Sequence, residues 1–337
     1  MWHPLAFGLP EALSPRLLAA LEAAWILAAA CWMLLQRRSP TATVAWILAL
    51  AAMPVVGVLV YLVVGPNRFA RKKIRLSILR RARGAYLDTW DRATARELSD
   101  LGQLARLAIR LEAPPPETAR GLTLYAGGDP YYAAIEADVR AARHHVHVEM
   151  YIFERDGCGA RMIEALAAAA RAGAEVRLLV DDAGSPRLPA RFLRPLVEAG
   201  GQVARFNPML LGRLRGNSAI FRTHRKLVIC DGRVGFTGGI NVSDAQSAAA
   251  SGDAAWRDTA IRLEGAAVHG LQLAFLENWA FATEQASPVP RASLRDYFPD
   301  EPAGDFEVQI VPSGPDQEDT AVGHLHVAAI GAARQRV

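Results

Sequence analysis

The chain has 337 residues, 38 Lys+Arg against 34 Asp+Glu, a formal net charge of +4 and three cysteines. That length accommodates two ordinary domains and a sizeable core. Cys31, Cys158 and Cys230 show no paired spacing, which excludes a disulfide scaffold and a zinc pattern and fits a reducing compartment. Positive charge is uneven. Arg68, Arg71, Lys72, Lys73, Arg75, Arg80, Arg81 and Arg83 cluster, and Lys226 is the one further lysine in a chain otherwise built with arginine.

The N-terminus predicts residence in a membrane. Leu17–Leu35 is apolar except for Glu22, and Thr41–Gly65 carries no charge. A bilayer core of about 30 Å takes about 20 apolar helical residues. The two runs are read as a transmembrane helical hairpin over 1–66, joined by the turn "QRRSPTA". The basic stretch that follows, in a juxtamembrane helical linker over 67–118, places the N-terminus and the rest of the chain in the cytoplasm. The same stretch would attract anionic lipids.

A globular segment is expected over 119–285. "LTLYAGG" reads as a strand and "DPYYAAIEADVRAARHH" as a helix with an acidic start and a basic end. "VHVEMYIF" alternates as a strand does. "GARMIEALAAAARAG" is a helix closed by glycine, followed by the strand "AEVRLLVDD", the helix "RFLRPLVEAGG" and the strand "QVARF". This β-α-β-α-β order predicts an α/β layered fold with a mainly parallel sheet.

"FRTHRKLVICDGRVGFTGGINVSD", residues 221–244, is the most informative stretch. It alternates, turns at Asp231-Gly232 and returns, a strong hairpin signal. His224 and Lys226, two apart, share a face of a strand. An imidazole beside a compact ammonium suits a phosphate, and arginine's planar fork does not substitute for lysine at such a point. Asp231 has the opposite parity, which favours a role in shaping the turn over direct chemistry. Gly238 and Gly239 remove side chains where a backbone could approach phosphate, or mark a tight turn. Asn241 could donate to the same oxygens.

The string H224-x-K226-xxxx-D231, then G238-G239-x-N241, resembles the signature of the phospholipase D superfamily. "VEMYIFERDGCG", "LLVDDAGS", "FNPM", "GFTGGIN", "WRDT", "LQLAFLENW" and "VPSGPD" follow the order seen in bacterial cardiolipin synthases. The N-terminal apolar pair resembles that family's membrane module. The resemblance implies a phospholipase D-like layered fold at the inner membrane and a metal-free, cofactor-free exchange of phosphodiester head groups. His224 would attack phosphorus to form a phosphohistidine. Lys226, Asp231 and the phosphate-binding Gly238, Gly239 and Asn241 would complete the site. The partners implied are phosphatidylglycerol and cardiolipin, with no nucleic acid. Glu149 and Asp258 are supporting candidates, Asp258 as the acid that orients a histidine. The plain alternatives are a solvated Glu149 and an Asp258 paired with Arg257 or Arg262. Trp256 and Trp279 are expected in the core.

Family members carry the His-Lys-Asp motif twice, and this chain carries it once. Residues 286–337 are read as a linker and the start of a second half, with "VPSGPDQEDTAVGHLHVAAIGAARQRV" resembling its first strand and helix. His324 and His326 lack the motif's lysine and glycine pair and are expected on the surface. Three readings stay open: a piece of a longer enzyme, a single-motif phosphodiesterase that dimerises, or an inactive partner of an intact paralogue. The reading frame is expected to continue into a second motif. Thr223 stands where the family commonly has asparagine.

Overall fold

A computed structural model describes residues 23–28, 31, 40–53, 56–57, 102–111, 113–208, 222–285, 294–314 and 321–337. The chain divides into two compact units, Met1–Gly65 and Pro66–Val337. In the first, residues 23–28 and Pro40–Ala52 are helical. Pro40 stands at the first helical turn, where a missing N–H leaves no carbonyl unpaired. The Trp25 indole donates to the Leu50 carbonyl at 3.3 Å. No helix among the described residues is long and apolar enough to cross a membrane. Most of the first expected span, residues 54–55 and 58–65 of the second, and all of the basic stretch 67–83 lie outside the described residues.

The second unit contains a small two-stranded sheet, β1 (Glu117–Ala119) with β9 (Phe306–Val308), and a seven-stranded sheet. The large sheet holds β2 (Gly121–Ala126), β3 (His145–Met150), β4 (Glu175–Asp181), β5 (Gln202–Phe206), β6 (Leu227–Cys230), β7 (Val234–Gly238) and β8 (Thr259–Glu264) in the order β2-β8-β7-β6-β3-β4-β5. The pairs β3–β4 and β4–β5 are parallel, and the other four are antiparallel. The sheet is therefore mixed, which corrects the expectation of a mainly parallel one. The β-α-β-α-β run is parallel as its helical crossovers require. The hairpin at Asp231-Gly232 then reverses the chain, and β8 and β2 continue the antiparallel half. Both turn residues have positive φ, +55° and +65°, and the Arg233 N–H donates to the Cys230 carbonyl.

Strand alternation splits the core into two layers. Val146, Val148, Met150, Val176, Leu178, Val180, Val228 and Phe236 face a cluster with the helices Gly128–Ala141, Gly157–Arg171 and Ala190–Glu198. Leu179, Leu227, Ile229 and Leu263 face the helix Val268–Thr283, with its Leu271, Phe275 and Trp279. All six residues of β3 are buried. Its odd-numbered members, His145, His147 and Glu149, point to the Val268–Thr283 side, so polar groups line that seam and find partners on the helix. Gln272 bonds both histidine rings, at 3.2 and 2.8 Å.

Trp279 is core, at 2% exposure, but Trp256 is 66% exposed, contrary to expectation. It lies in the loop before β8, and nothing in its tryptophan–arginine–aspartate context distinguishes a core ring from a loop ring. In the C-terminal stretch, Ala321–Ala332 is helical and His324 and His326 are exposed. Residues 311–314 form no strand. The strand is Phe306–Val308, which pairs back onto β1.

Candidate active site

His224 and Lys226 lie just before β6, not on it, because the ladder with β3 begins at Leu227 opposite Glu149. Extended backbone nevertheless keeps the two-residue spacing, and the side chains converge. Lys226 Nζ stands 3.1 Å from Nδ1 and 3.4 Å from Nε2 of His224, and donates to the His224 carbonyl at 2.9 Å. The ring of Tyr151, one residue past β3, packs against both. Its centroid is 4.5 Å from that of His224 and 5.3 Å from Lys226 Nζ.

Lys226 is 3% exposed, yet His224 is exposed. Burial holds the Lys226 ammonium down to about 8, opposed by the negative charge of Asp258. Burial and the neighbouring ammonium both lower the His224 imidazole, and Asp181 acts the other way. A neutral imidazole with a lone pair therefore faces solvent at neutral pH, beside a cation that has no carboxylate within ion-pair distance among the described residues.

Two fully buried carboxylates support this pair. Glu149 accepts a short hydrogen bond from the Thr223 hydroxyl and one of 2.5 Å from Asn278 Nδ2. It is not a solvated charge. Asp181, the last residue of β4, accepts from the Thr223 N–H at 3.1 Å. Asp181, Tyr151 and Asn278 did not stand out in the sequence. A usable signal for Asp181 was its place at the carboxyl end of an apolar strand, where α/β sheets place their sites. For Asn278 there was none, because its partner comes from a strand 129 positions away.

The remaining expected residues divide. Asn241 is 9% exposed, and its Oδ1 accepts from the Ile152 N–H at 3.1 Å, leaving the two Nδ2 hydrogens without a partner among the described residues. Asp258 pairs with neither Arg257 nor Arg262; the latter binds Asp138 and Glu264. Asp258 instead lies within electrostatic reach of Lys226. Gly238 and Gly239 have a packing cause. A Cβ on Gly238 would strike Ala260 and the Thr259 carbonyl, and one on Gly239 would strike the Asp258 carboxylate. Asp231 is not brought to His224. It sits at the opposite end of β6, where its carboxylate accepts from the backbone N–H groups of Arg143, His144 and His145 at 2.8, 2.8 and 3.0 Å. The structure thus favours the turn-shaping reading of Asp231.

Residues 135–257 match a family model described as "Cardiolipin synthase, PLD-like domain", and residues 23–66 match "Phospholipase_D-nuclease N-terminal". Residues 135–257 of the globular unit are thus similar to a phospholipase D-like domain of the cardiolipin synthase type. The chain is similar to particular cardiolipin synthases over most of its length. It is 34% identical over 325 residues to "Cardiolipin synthase 1" of Bacillus anthracis, covering 90% of this chain and 61% of that protein. It is 33% identical over 314 residues to "Major cardiolipin synthase ClsA" of Bacillus subtilis (strain 168), covering 90% and 64%. The chain thus spans less than two thirds of the length of these relatives. Among solved structures, a phospholipase D family member, Nuc from Salmonella typhimurium, aligns at 17% identity over 49% of this chain and 96% of that one. The TM-score is 0.36, too low to carry an argument.

Proposed function

We propose that this chain carries the nucleophilic half of a phosphatidyltransferase that makes cardiolipin from phosphatidylglycerol. A neutral nitrogen of His224 attacks the phosphorus of one phosphatidylglycerol, and the bond from phosphorus to the glycerol head group breaks. Glycerol leaves with a proton, and the phosphatidyl group stays on the imidazole. The primary hydroxyl of a second phosphatidylglycerol then attacks phosphorus, passing its proton to the group that protonated the glycerol, and the phosphorus–nitrogen bond breaks, yielding cardiolipin and restoring the imidazole. Lys226 stabilises charge on the non-bridging oxygens, and Asn241 Nδ2 donates to them. A well-placed donor of this kind is worth on the order of 10²–10³ in rate. Asp258 sets the charge balance around Lys226. Lys226, the ammonium within hydrogen-bond reach of His224, is held on the phosphate oxygens in this reading and does not protonate the departing glycerol. A second histidine-lysine motif, on a further segment or a second copy, would supply that proton.

The two apolar N-terminal runs, read as a membrane hairpin, would hold the catalytic unit at the cytoplasmic face of the bacterial inner membrane, where anionic phospholipids are both substrate and product. The observation that carries the proposal is the Lys226 ammonium 3.1 Å from the His224 ring, itself exposed to an incoming phosphodiester. The test is lipid mass spectrometry of cells that make no cardiolipin of their own. The reading frame containing this chain restores it, and His224→Ala in that frame does not. Restoration by the His224→Ala form would refute the assignment.

A further inference from the structure

Residues 222–226 lie outside every strand, so no ladder fixes His224 in place. Among the described residues, Asp181, which is fully buried, grips this segment by its backbone from outside it. Its Oδ2 accepts from the Thr223 N–H at 3.1 Å. Its Oδ1 accepts from the N–H groups of Ala183 and Gly184, at 2.9 and 3.1 Å. The same short loop holds Ser185, whose hydroxyl donates to the Tyr151 carbonyl at 3.0 Å and accepts from the Phe153 N–H at 2.9 Å. Gly184 lets that loop pass directly over the Tyr151 carbonyl, where a Cβ would collide. One carboxylate therefore ties together the residue before His224 and the loop that seats Tyr151, whose ring lies against His224. Arg222, 3.8 Å from Asp181, also donates to the Asn207 carbonyl at 2.6 Å and closes the far side.

We propose that Asp181 is a positioning residue for His224, setting the imidazole against Lys226 through the Thr223 backbone and through the Ser185–Tyr151 contact. This rests on the reading of His224 as the nucleophile. Asp181 does not touch substrate. Asparagine at this position would keep the acceptor for Ala183 and Gly184 but turn an NH₂ toward the Thr223 N–H. Two buried donors would then face each other, and the segment would shift. A displacement near 1 Å at a reacting group costs about 10²-fold in rate.

The test uses the full chain in detergent micelles and, for turnover, the reading frame that contains it. The expected result for Asp181→Asn is a fall of about 10–100-fold in kcat with KM within about threefold. Carbethoxylation of His224 by diethylpyrocarbonate, followed by peptide mass spectrometry across pH, reads the imidazole directly. Loss of the Asp181 charge moves that profile to lower pH, whereas a merely structural defect leaves it in place. If the variant does not fold, hydrogen exchange resolved to Thr223 in the unaltered chain decides. A protected amide outside any strand supports the proposal, and one that exchanges as freely as an exposed loop overturns it. An unchanged kcat or an unchanged carbethoxylation profile in folded Asp181→Asn also overturns it. The profile and the exchange rate need no turnover, so they stand apart from a failure of the transferase reading.

Discussion

The Asp258 carboxylate occupies the space that a Cβ on Gly239 would need. Gly239 follows β7 and Asp258 precedes β8, and the Gly239 N–H donates to the Thr259 carbonyl at 2.9 Å, so the strand ends are locked side by side. A missing side chain on one strand thus admits the carboxylate whose charge acts on Lys226. Gly239 is, in three dimensions, the gap that seats an acid.

Gly239→Ala is therefore expected to destabilise the protein by about 1–3 kcal/mol, as overpacking does. Asp258→Ala in the same chain should recover much of that loss. A double-mutant cycle in urea, reading the coupling between neighbours in contact, checks it. Additive effects would show that the two do not share the space.

Lys226→Ala should lower kcat by about 10²–10³-fold. Lys226→Arg should recover little of it, because a planar fork in a site with 3% exposure cannot reproduce a point charge. Steady-state kinetics on cardiolipin formation measure both variants. Full activity in Lys226→Arg would mean that charge alone matters there.

Asp231→Ala separates the turn from the chemistry. It leaves three backbone N–H groups at the start of β3 without their acceptor. A loss of about 1–3 kcal/mol in stability is expected, with kcat per folded molecule within about threefold. Urea unfolding and burst-corrected turnover distinguish these. A kcat loss comparable to that of Lys226→Ala would return Asp231 to the active site.

The buried histidines make stability depend on pH. Burial lowers His147 and His269 to about 4, and His145 falls well below its usual value. These rings stay neutral in the fold and take up protons when it opens. Their stabilising contribution is whole above about pH 6.5 and declines as pH falls toward about 4. Each contributes a slope of about 1.4 kcal/mol per pH unit in that window. Asp181, raised by burial, opposes the fall in its own range. Urea midpoints at three pH values between 4 and 6.5 test this. A flat profile would show that the rings are not proton-free in the native state.

Much of the globular unit was legible because its signals are local. The alternation of His145–Met150, the glycine-closed helix after it and the Asp-Gly turn each depend on neighbours within a few residues. The pairing of β8 with β7 and β2 was not legible, since strand direction there follows from where the chain goes after the hairpin. The His224–Lys226 pair was legible from spacing alone, as any extended backbone preserves it. Its supports were not. Glu149 was noticed without its partners, and Asp181 acts on a backbone N–H 42 positions away, which leaves no mark in side-chain pattern. Gly239 was legible as a position without a side chain, but Asp258 as its neighbour was not, because an absent Cβ looks the same in sequence whatever lies beside it.

The most direct test of the central claim uses an activated lipid, phosphatidyl-p-nitrophenol, whose leaving group departs without a proton donor. The chain in micelles is mixed with this lipid, quenched in alkali and digested for mass spectrometry, while released nitrophenolate is followed by absorbance. A burst of one nitrophenolate per chain is expected, with a phosphatidyl adduct on His224 that is absent in His224→Ala and slowed in Lys226→Ala. No adduct, or an adduct formed equally well in His224→Ala, would contradict the account.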